Sequence, residues 1–334
     1  MENYFIGIDV SKKKLDVCLL HQGKVIEEEV VTNDIKAISS CLRGLLEKHG
    51  IEPDKVLFCA EHTGLYTYPL SCACEGLGWK LWIENPAQIK YCSGVQRGKN
   101  DKVDARKIAF YAYRYLERCK IYSRPQTELE EMKQMFSERS LLVSDRAKYR
   151  GQLSDESDFV RPQLFNSKAR RLKSLIKVLD DCIKELETQI DSLILNQHLL
   201  RRQYELLCSI DGVGPITAIK MIVETKAFSE FKNPRKFCCH AGVAPFEYTS
   251  GSSIRGRSKL SQRADKSIKS ILQTAAIGAV KKEGELRSYF LRKIKEGKPK
   301  MSVYNAVRAK LVYRMFAVIK NDRFYEKNYC KSIA

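Results

Sequence analysis

The segment NYFIGIDVSKKKLDVCLL, residues 3–20, decides the fold of the first part of the chain. Apolar residues alternate with other residues along both halves of this segment, which is typical of strands, and the lysines between the halves suit a turn. The sequence therefore predicts two paired strands, and GKVIEEEVVT (residues 23–32) predicts a third strand beside them. Asp9 comes at the end of the first predicted strand.

The segments that follow alternate between helix and strand patterns. DIKAISSCLRGLLEKHG (34–50) has apolar residues three and four apart and a closing glycine, which predicts a helix. KVLFCAE (55–61) predicts a short buried strand that ends near Glu61, LYTYPLSCACEGLG (65–78) a helix and KLWIEN (80–85) a strand. The order β-β-β-α-β-α-β predicts an α/β domain, a mixed sheet with helices packed on it.

The charge of the chain indicates a polyanionic partner. The 334 residues carry a formal net charge of +19, which favours nucleic acid first and an anionic membrane second. Residues 1–90 hold ten Lys and Arg against thirteen Asp and Glu, so we expect the main phosphate-binding surface in the later part of the chain.

Three further features bear on location and metal binding. The sequence has no apolar run of transmembrane length, and its first residues lack the order typical of a signal peptide. We therefore expect no membrane partner. Twelve cysteines without a signal peptide predict reduced thiols in a cytosol. The spacings at Cys72 and Cys74 and at Cys238, Cys239 and His240 are poor for zinc and predict small buried side chains instead.

Residues 129–204 have a charged helical pattern. Within ARRLKSLIKVLDDCIKELETQIDSLIL (169–195), apolar residues recur at the three- and four-residue spacing of a coiled-coil seam. The seam positions are Leu172, Leu175, Ile176, Leu179, Ile183, Leu186, Ile190 and Leu193. Pro162 and Asn166 indicate a break, so two helices can fold back as a hairpin. The alternative is a surface helix of a bundle.

The segment LLCSIDGVGPITAIKMIVE, residues 206–224, resembles a helix-hairpin-helix. Gly212, Gly214 and Pro215 would form a tight turn whose backbone amides can bind a phosphate. A plain connection between two helices is the alternative.

The C-terminal part is strongly basic. Residues 281–324 hold thirteen Lys and Arg against four Asp and Glu. Aromatic residues are interleaved with these charges, as on many nucleic-acid surfaces, at Tyr289, Phe290, Tyr304, Tyr313 and Phe316. The alternative is a solvated helix face with aromatic residues in the core.

A pair of carboxylates lies inside the basic run RGKNDKVDARKIA, residues 97–109. Asp101 and Asp104 are three residues apart, so they share a side if a helix begins there. Gathered with Asp9 and Glu61, they would repel one another unless a cation joined them. Mg²⁺ prefers carboxylate and phosphate oxygens, and two such ions can clamp the entering and leaving oxygens of a phosphoryl transfer. A solvated acidic pair is the alternative.

The segment TSGSSIRGRSK, residues 249–259, combines hydroxyls with basic residues. A hydroxyl beside glycine allows a phosphate to come close, and Arg255, Arg257 and Lys259 can neutralise it. Serine is a weak nucleophile that needs activation. From the residues alone, a Ser/Gly loop without chemistry is the alternative to a nucleophile.

Four segments carry a resemblance to a known family, the IS110-family or DEDD transposases. They are YFIGIDVSKKKLDVCLL, AEHTGLY, RGKNDKVDARKIA and GVAPFEYTSGSSIRGRSKLSQRADKSIKSIL, and in this order they span nearly the whole chain. The chain reads SQRA at residues 261–264 where SKRG is frequent in the family, with Gln262 and Ala264 as the departures.

The resemblance implies a division into three domains. Residues 1–125 would form a RuvC-like domain of the ribonuclease H fold, residues 126–203 a coiled coil or helical hairpin, and residues 204–334 a mainly α-helical transposase domain with the helix-hairpin-helix and the serine motif. The fold class is then α/β plus α.

The resemblance also implies the site residues. Asp9, Glu61, Asp101 and Asp104 would bind Mg²⁺ or Mn²⁺, and Ser250 would form a transient phosphoserine link to DNA, in a site that joins acids of the first domain to the serine of the last. Ser252 and Ser253 are local rivals of Ser250, and Thr249 is a weaker one. Nucleic-acid contacts are expected at Arg97, Lys99, Lys102, Arg106, Gly212, Gly214, Arg255, Arg257, Lys259 and Arg263.

The function that the resemblance implies is a DNA transposase or recombinase of an insertion sequence, acting in the prokaryotic cytosol or nucleoid. Its partners would be donor and target DNA and a structured guide RNA encoded in the element, and the protein would assemble as a dimer or tetramer. Two alternatives remain: a RuvC-like junction nuclease that uses metal-activated water, and a non-enzymatic nucleic-acid-binding scaffold.

Overall fold

The computed structural model describes residues 4–92, 101–124, 127–157, 159–244, 246–250, 254–259 and 264–327. For residues 101, 102, 246–250 and 254–259 the description is limited to the backbone. The chain forms two compact units, Met1–Arg124 and Pro125–Ala334. The predicted separation of residues 126–203 from 204–334 stays a prediction.

The first unit is built on a five-stranded mixed sheet in the order β3-β2-β1-β4-β5. The strands are β1 Tyr4–Val10, β2 Lys14–His21, β3 Lys24–Thr32, β4 Val56–Glu61 and β5 Leu81–Glu84. β1, β2 and β3 pair antiparallel, while β1 pairs parallel with β4 and β4 with β5. This arrangement confirms the mixed sheet that the sequence predicts.

Helices cover both faces of this sheet. They are α1 Ile35–Lys48, α2 Tyr68–Gly76, α3 Pro86–Cys92 and α4 Asp101–Arg114. Because side chains alternate along a strand, Ile6 and Ile8 pack in the core with α1 and α2, whereas Phe5 packs in the core with α3 and α4. Odd-numbered residues of β1 therefore face α4.

The backbone of α4 lies directly on β1. A Cβ atom added to Gly7 would come within 2.2 Å of Ala109 N and 2.3 Å of Ala105 O. Only glycine leaves room for this approach. Gly7 thus sets the distance between the start of α4 and the end of β1.

The second unit is mainly α-helical, as predicted. Its helices are α5 Thr127–Glu156, α6 Pro162–Asn196, α7 His198–Cys208, α8 Pro215–Glu224, α9 Pro234–His240, α10 Lys266–Lys281, α11 Glu285–Lys295 and α12 Lys300–Asn321. Between α9 and α10, β6 Phe246–Ser250 and β7 Ile254–Lys259 pair as an antiparallel hairpin, here called the serine hairpin. Over the residues that the structure describes, no helix is long and apolar enough to cross a membrane.

Helices α5 and α6 fold back on each other as the sequence allows. Arg139 pairs with Glu187 at 2.6 Å and Arg146 with Asp180 at 2.6 Å, so the two helices run antiparallel. Four predicted seam residues are buried, namely Leu172, Ile183, Leu186 and Ile190. Leu175 is 48% exposed, which places it outside the seam of this hairpin.

The interleaved aromatic residues of the C-terminal part lie mostly in the core. Phe316 is buried, and Tyr289, Phe290 and Tyr304 pack against the same core. Tyr313 is 46% exposed. The predicted stacking surface is therefore wrong for Phe316, because its ring packs against Phe228 and Phe237 in the core rather than facing solvent.

Candidate active site

Two of the predicted acids lie side by side at the carboxyl ends of neighbouring strands. Ile8 of β1 pairs with Ala60 of β4, so Asp9 and Glu61 follow in adjacent positions of the parallel ladder. Asp9 shares the face of Gly7, which α4 covers, and Glu61 shares the face of Cys59, which belongs to the same core. Both acids are half-buried.

Helix α4 brings a third acid to this edge. Asp104 lies in the first turn of α4, and its Oδ1 pairs with Lys107 Nζ at 2.7 Å. The pKa of Glu61 is raised by burial first, then by the negative charges of Asp9 and Asp104, against a smaller opposing effect of Lys107. The strand register and the contact of α4 with Gly7 bring Asp9, Glu61 and Asp104, here called the acid cluster, to the same edge of the sheet, and the charges of Asp9 and Asp104 both act on Glu61.

Asp101 begins α4 one turn before Asp104. Residues three apart on a helix are neighbours on its surface, which puts Asp101 on the side of the acid cluster by backbone position. Its side chain lies outside the described residues.

The acid cluster suits a hard divalent cation. Its donor atoms are carboxylate oxygens, which Mg²⁺ and Mn²⁺ prefer. Burial raises the pKa of Glu61 first and the negative charges of Asp9 and Asp104 add to the rise, and a bound cation would oppose both effects. The residues present therefore fit the metal that the resemblance implies.

Two more acids on this face escaped the sequence reasoning. Asp16 on β2 stands opposite Asp9 in the ladder, is 3% exposed and pairs with Lys14 at 3.0 Å. Glu84 ends β5 beside Glu61 and accepts a hydrogen bond of 3.1 Å from the Tyr111 hydroxyl. Knowledge of the strand register would have identified Asp16 and Glu84, because the register places both on the face of the sheet that α4 covers.

The basic residues around Asp101 are only partly placed. The guanidinium of Arg106 pairs with both carboxylate oxygens of Glu28 on β3. Arg97, Lys99 and the side chain of Lys102 lie outside the described residues. The nucleic-acid contacts at all four positions stay predictions.

The two glycines of the predicted helix-hairpin-helix turn have different surroundings. Gly212 has a φ of +90°, and an added Cβ would come within 2.6 Å of Ala275 O and Ala279 N on α10. Its position is thus explained by helix packing. Gly214 precedes α8 and has open space where a Cβ would stand, so the first amides of α8 are the part of the turn that suits a phosphate.

The serine hairpin carries the predicted nucleophile on its backbone. Ser250 ends β6 and pairs with Ile254, while Arg255 pairs with Thr249. Arg257 and Lys259 follow on β7. The side chains of these residues lie outside the described part, as does all of Arg263.

A second group of possible ligands lies at the base of the serine hairpin. Glu224, His240 and Asp265 each offer one ligand atom, and these atoms lie within 4.8 Å of one another. Both acids of this group already have partners, because Lys220 pairs with Glu224 at 2.5 Å and Asp265 Oδ1 caps the N-terminus of α10. A cation would compete with Lys220 here. The sequence gave no signal because the three residues are far apart in the chain.

The buried thiols behave as small apolar side chains. Cys74 and Cys238 are buried, and burial raises the pKa of each to about 12. Such thiols are inert. The interpretation of these two cysteines as core residues is confirmed.

Two sequence families match the chain. The "Transposase IS116/IS110/IS902 family" matches residues 204–291, and a family of DEDD transposases of the IS110 type, described as "Transposase", matches residues 6–156. Together the two matches cover most of the sequence.

Similar proteins come from several bacteria. The "Pilin gene-inverting protein" of Moraxella bovis is 25% identical over 331 residues, 98% of this chain and 99% of that protein, and its Moraxella lacunata counterpart has the same values. A protein of insertion element IS110 from Streptomyces coelicolor is 26% identical over 155 residues, 46% of this chain and 37% of that protein. Among solved structures, Thermus thermophilus RuvC matches 36% of this chain and 99% of its own, with 15% identity and a TM-score of 0.28.

Proposed function

The chain belongs to the IS116/IS110/IS902 family of transposases, and on this premise we propose that it cuts and rejoins DNA for an insertion sequence, with an acidic metal site and a serine nucleophile. The observation that carries the proposal is the acid cluster, three carboxylates brought together from β1, β4 and α4. A structural role would favour neutralised or scattered acids, because like charges repel in a half-buried place.

The metal site consists of Asp9, Glu61 and Asp104, joined by Asp101. When bound there, Mg²⁺ or Mn²⁺ supplies positive charge to the phosphate under attack. Lys107 pairs with Asp104 at 2.7 Å, and its charge offsets part of the rise in the pKa of Glu61.

Ser250 is the proposed nucleophile. Its Oγ forms a bond to phosphorus, the bond from phosphorus to a sugar oxygen breaks, and the serine proton is released while the departing sugar oxygen takes up a proton. The phosphoserine link conserves the energy of the phosphodiester, so a second sugar hydroxyl can reverse the step without ATP. Arg255, Arg257 and Lys259 supply positive charge near the serine in the chain.

The partners that we propose follow from the charge and the family. A net charge of +19 suits donor DNA, target DNA and a structured guide RNA. Leu175 and Val178 on α6 are 48% and 58% exposed, which suits a dimer or tetramer. Replacing both by lysine would lower the mass measured by light scattering, whereas an unchanged mass would count against this assembly surface.

The experiment that tests the proposal uses a suicide DNA substrate and mass spectrometry. The wild-type protein is expected to give a covalent DNA adduct at Ser250 in Mg²⁺, and Ser250→Ala is expected to lose both the adduct and recombination. Ser252→Ala and Ser253→Ala are the matched controls.

A nuclease that uses water predicts the opposite outcome. Ser250→Ala would then still cleave, slowed only by the loss of one hydrogen bond, about 0.5–1.5 kcal/mol. Efficient cleavage by the triple alanine variant of residues 250, 252 and 253 would refute the serine mechanism. Salt-sensitive DNA binding by a wild-type protein that never cleaves DNA would refute the proposal that the protein is an enzyme.

A further inference from the structure

Arg308 on α12 is a buried cation. The residue is 4% exposed, and its Nε is buried without a hydrogen-bond partner. One terminal nitrogen donates to Asn305 Oδ1 at 3.4 Å and the other to Gln273 Oε1. Both acceptors are neutral amides, and across the described parts of the chain no carboxylate pairs with this guanidinium.

Other arginines of the same unit have acidic partners. Arg139 pairs with Glu187 at 2.6 Å, and Arg202 pairs with Asp322 at 2.7 Å. Both are more exposed than Arg308, which makes their charges less costly to hold. Of these three arginines, Arg308 is the most deeply buried and the one without an acidic partner in the described structure.

This combination lowers the stability of the folded chain. Burying an unpaired charge is costly, and arginine cannot escape the cost by losing its proton. Burial lowers the pKa of Arg308, and no negative charge among the described residues offsets that effect. A neutral side chain of similar volume would be neutral or stabilising at such a position. The positive charge of Arg308 is thus better explained by binding of an anionic ligand than by a role in the packing of α12.

The location links Arg308 to the serine hairpin. Asn305, which accepts from Arg308, donates through Nδ2 to Val243 O at 2.7 Å, and Val243 leads into β6. Gln273 and Asn305 are half-buried, so the two side chains that hold the guanidinium are partly exposed to solvent. Lys269 stands one turn before Gln273 on α10 and adds positive charge to that side.

We propose that Arg308 binds a backbone phosphate of the DNA strand that the serine hairpin engages. The guanidinium fork matches phosphate oxygens in shape and charge, and Nε has no hydrogen-bond partner in the described structure. Because the guanidinium is buried, a phosphate would reach it by displacing the amides of Gln273 and Asn305. The choice of DNA rests on the proposed function; the presence of an anion site rests on Arg308 itself.

The test measures DNA binding without cleavage. Full-length protein is titrated with a labelled duplex of about 30 base pairs in EDTA over a range of salt concentrations. Arg308→Met is expected to bind about tenfold more weakly at about 0.1 M salt and to lower the slope of log affinity against log salt by about 0.9, the value for one phosphate contact. Its melting temperature without DNA is expected to equal or exceed that of the wild type.

Two further variants separate anion binding from packing. Gln273→Leu removes a neutral partner of Arg308 but keeps the charge, so its salt slope should match the wild type. Arg308→Lys keeps the charge without the fork and should retain most of the slope with weaker affinity. An unchanged slope in Arg308→Met, or a lower melting temperature shared with Gln273→Leu, would overturn the proposal.

The same design keeps this inference apart from the proposed function. DNA binding in EDTA needs neither the acid cluster nor Ser250. Even if the wild-type protein proved unable to cleave DNA, the assay would still show whether Arg308→Met lowers the slope of log affinity against log salt. If Arg308→Met weakens binding to a single-stranded RNA of the same length but leaves duplex DNA unaffected, the DNA assignment is wrong.

Discussion

The acid cluster and the serine hairpin hold their proposed reactive groups in opposite ways. Asp9 and Glu61 lie on β1 and β4, inner strands of a five-stranded sheet that are paired on both sides and covered by α4. Ser250 lies on a hairpin whose two strands, among the described residues, pair with each other and with no third strand. Two strands alone are marginally stable, whereas a sheet buried under helices is rigid.

The difference shows which contacts fix the position of the reactive groups in each region. The acids are placed by register and by the contact of α4 with Gly7, both inside one hydrophobic unit. The serine hairpin depends on its base, where Asp265 N donates to His240 O at 3.2 Å and Asn305 Nδ2 donates to Val243 O at 2.7 Å. We therefore expect substitutions in the first region to act through the sheet, and those in the second to act through anchors and bound DNA.

The largest effect is expected for cleavage activity after a substitution next to the acid cluster. Asp101→Asn removes one carboxylate beside the acid cluster and is expected to lower strand cleavage to below about one hundredth of the wild-type rate. DNA and RNA binding should stay equal or become slightly tighter, because a negative charge leaves a surface that faces phosphates. Cleavage assays beside filter binding give the answer, and a variant that cuts normally in Mg²⁺ would remove Asp101 from the metal site.

Gly7→Ala is the next strongest way to break the first region. The added Cβ would overlap the backbone of α4 at 2.2 Å, so the helix must shift and carry Asp104 with it. The free energy of unfolding should fall by about 1–3 kcal/mol, and Mg²⁺ should no longer raise the melting temperature. Gly44→Ala on α1 is the control, because open space surrounds that site and alanine there should add about 0.5–1 kcal/mol. Equal stability of the two variants would contradict the close packing of α4 on β1.

Gly212→Ala tests the second region in the same manner. Its φ of +90° and the approach of 2.6 Å to α10 predict a loss of about 1–3 kcal/mol in the free energy of unfolding, measured by urea titration. Gly214→Ala should cost less than about 1 kcal/mol, since its space is open and its φ of −98° suits any residue. If Gly214→Ala is the more damaging of the two, the packing explanation for Gly212 fails.

The sequence predicted the first region better than the second for a physical reason. Strand alternation around Asp9 and Glu61 is a local signal, and parallel pairing then brings the two acids together. Asp16 and Glu84 needed the register, which depends on which strands become neighbours. Local pattern was therefore sufficient for the elements of the sheet and insufficient for the complete set of its acids.

In the second region, the useful contacts join residues far apart in the chain. The GVG pattern suggested a phosphate turn, yet Gly212 packs on α10. Leu175 has the spacing of a seam residue but stands outside the α5–α6 contact, because apolar residues three and four apart cover more of a helix than one partner can bury. Arg308 gave no signal among thirteen basic residues of its segment, since only burial distinguishes it.

The smallest expected effect concerns the pH dependence of the first region. Burial and the charges of Asp9 and Asp104 raise the pKa of Glu61 above its ordinary value of 4.5, so the folded state binds this proton more tightly than the unfolded state. The contribution of Glu61 to the free energy of unfolding is therefore fully present at low pH, and it declines as the pH rises above 4.5 and through the folded pKa. In EDTA, the melting temperature between about pH 5 and about pH 7.5 should fall more in the wild type than in Glu61→Gln. Mg²⁺ should remove that difference at the higher pH, whereas Glu47→Gln, an exposed carboxyl on α1, should follow the wild type. A melting profile of Glu61→Gln that matches the wild type in EDTA would show that the acid cluster carries no repulsion for a metal ion to relieve.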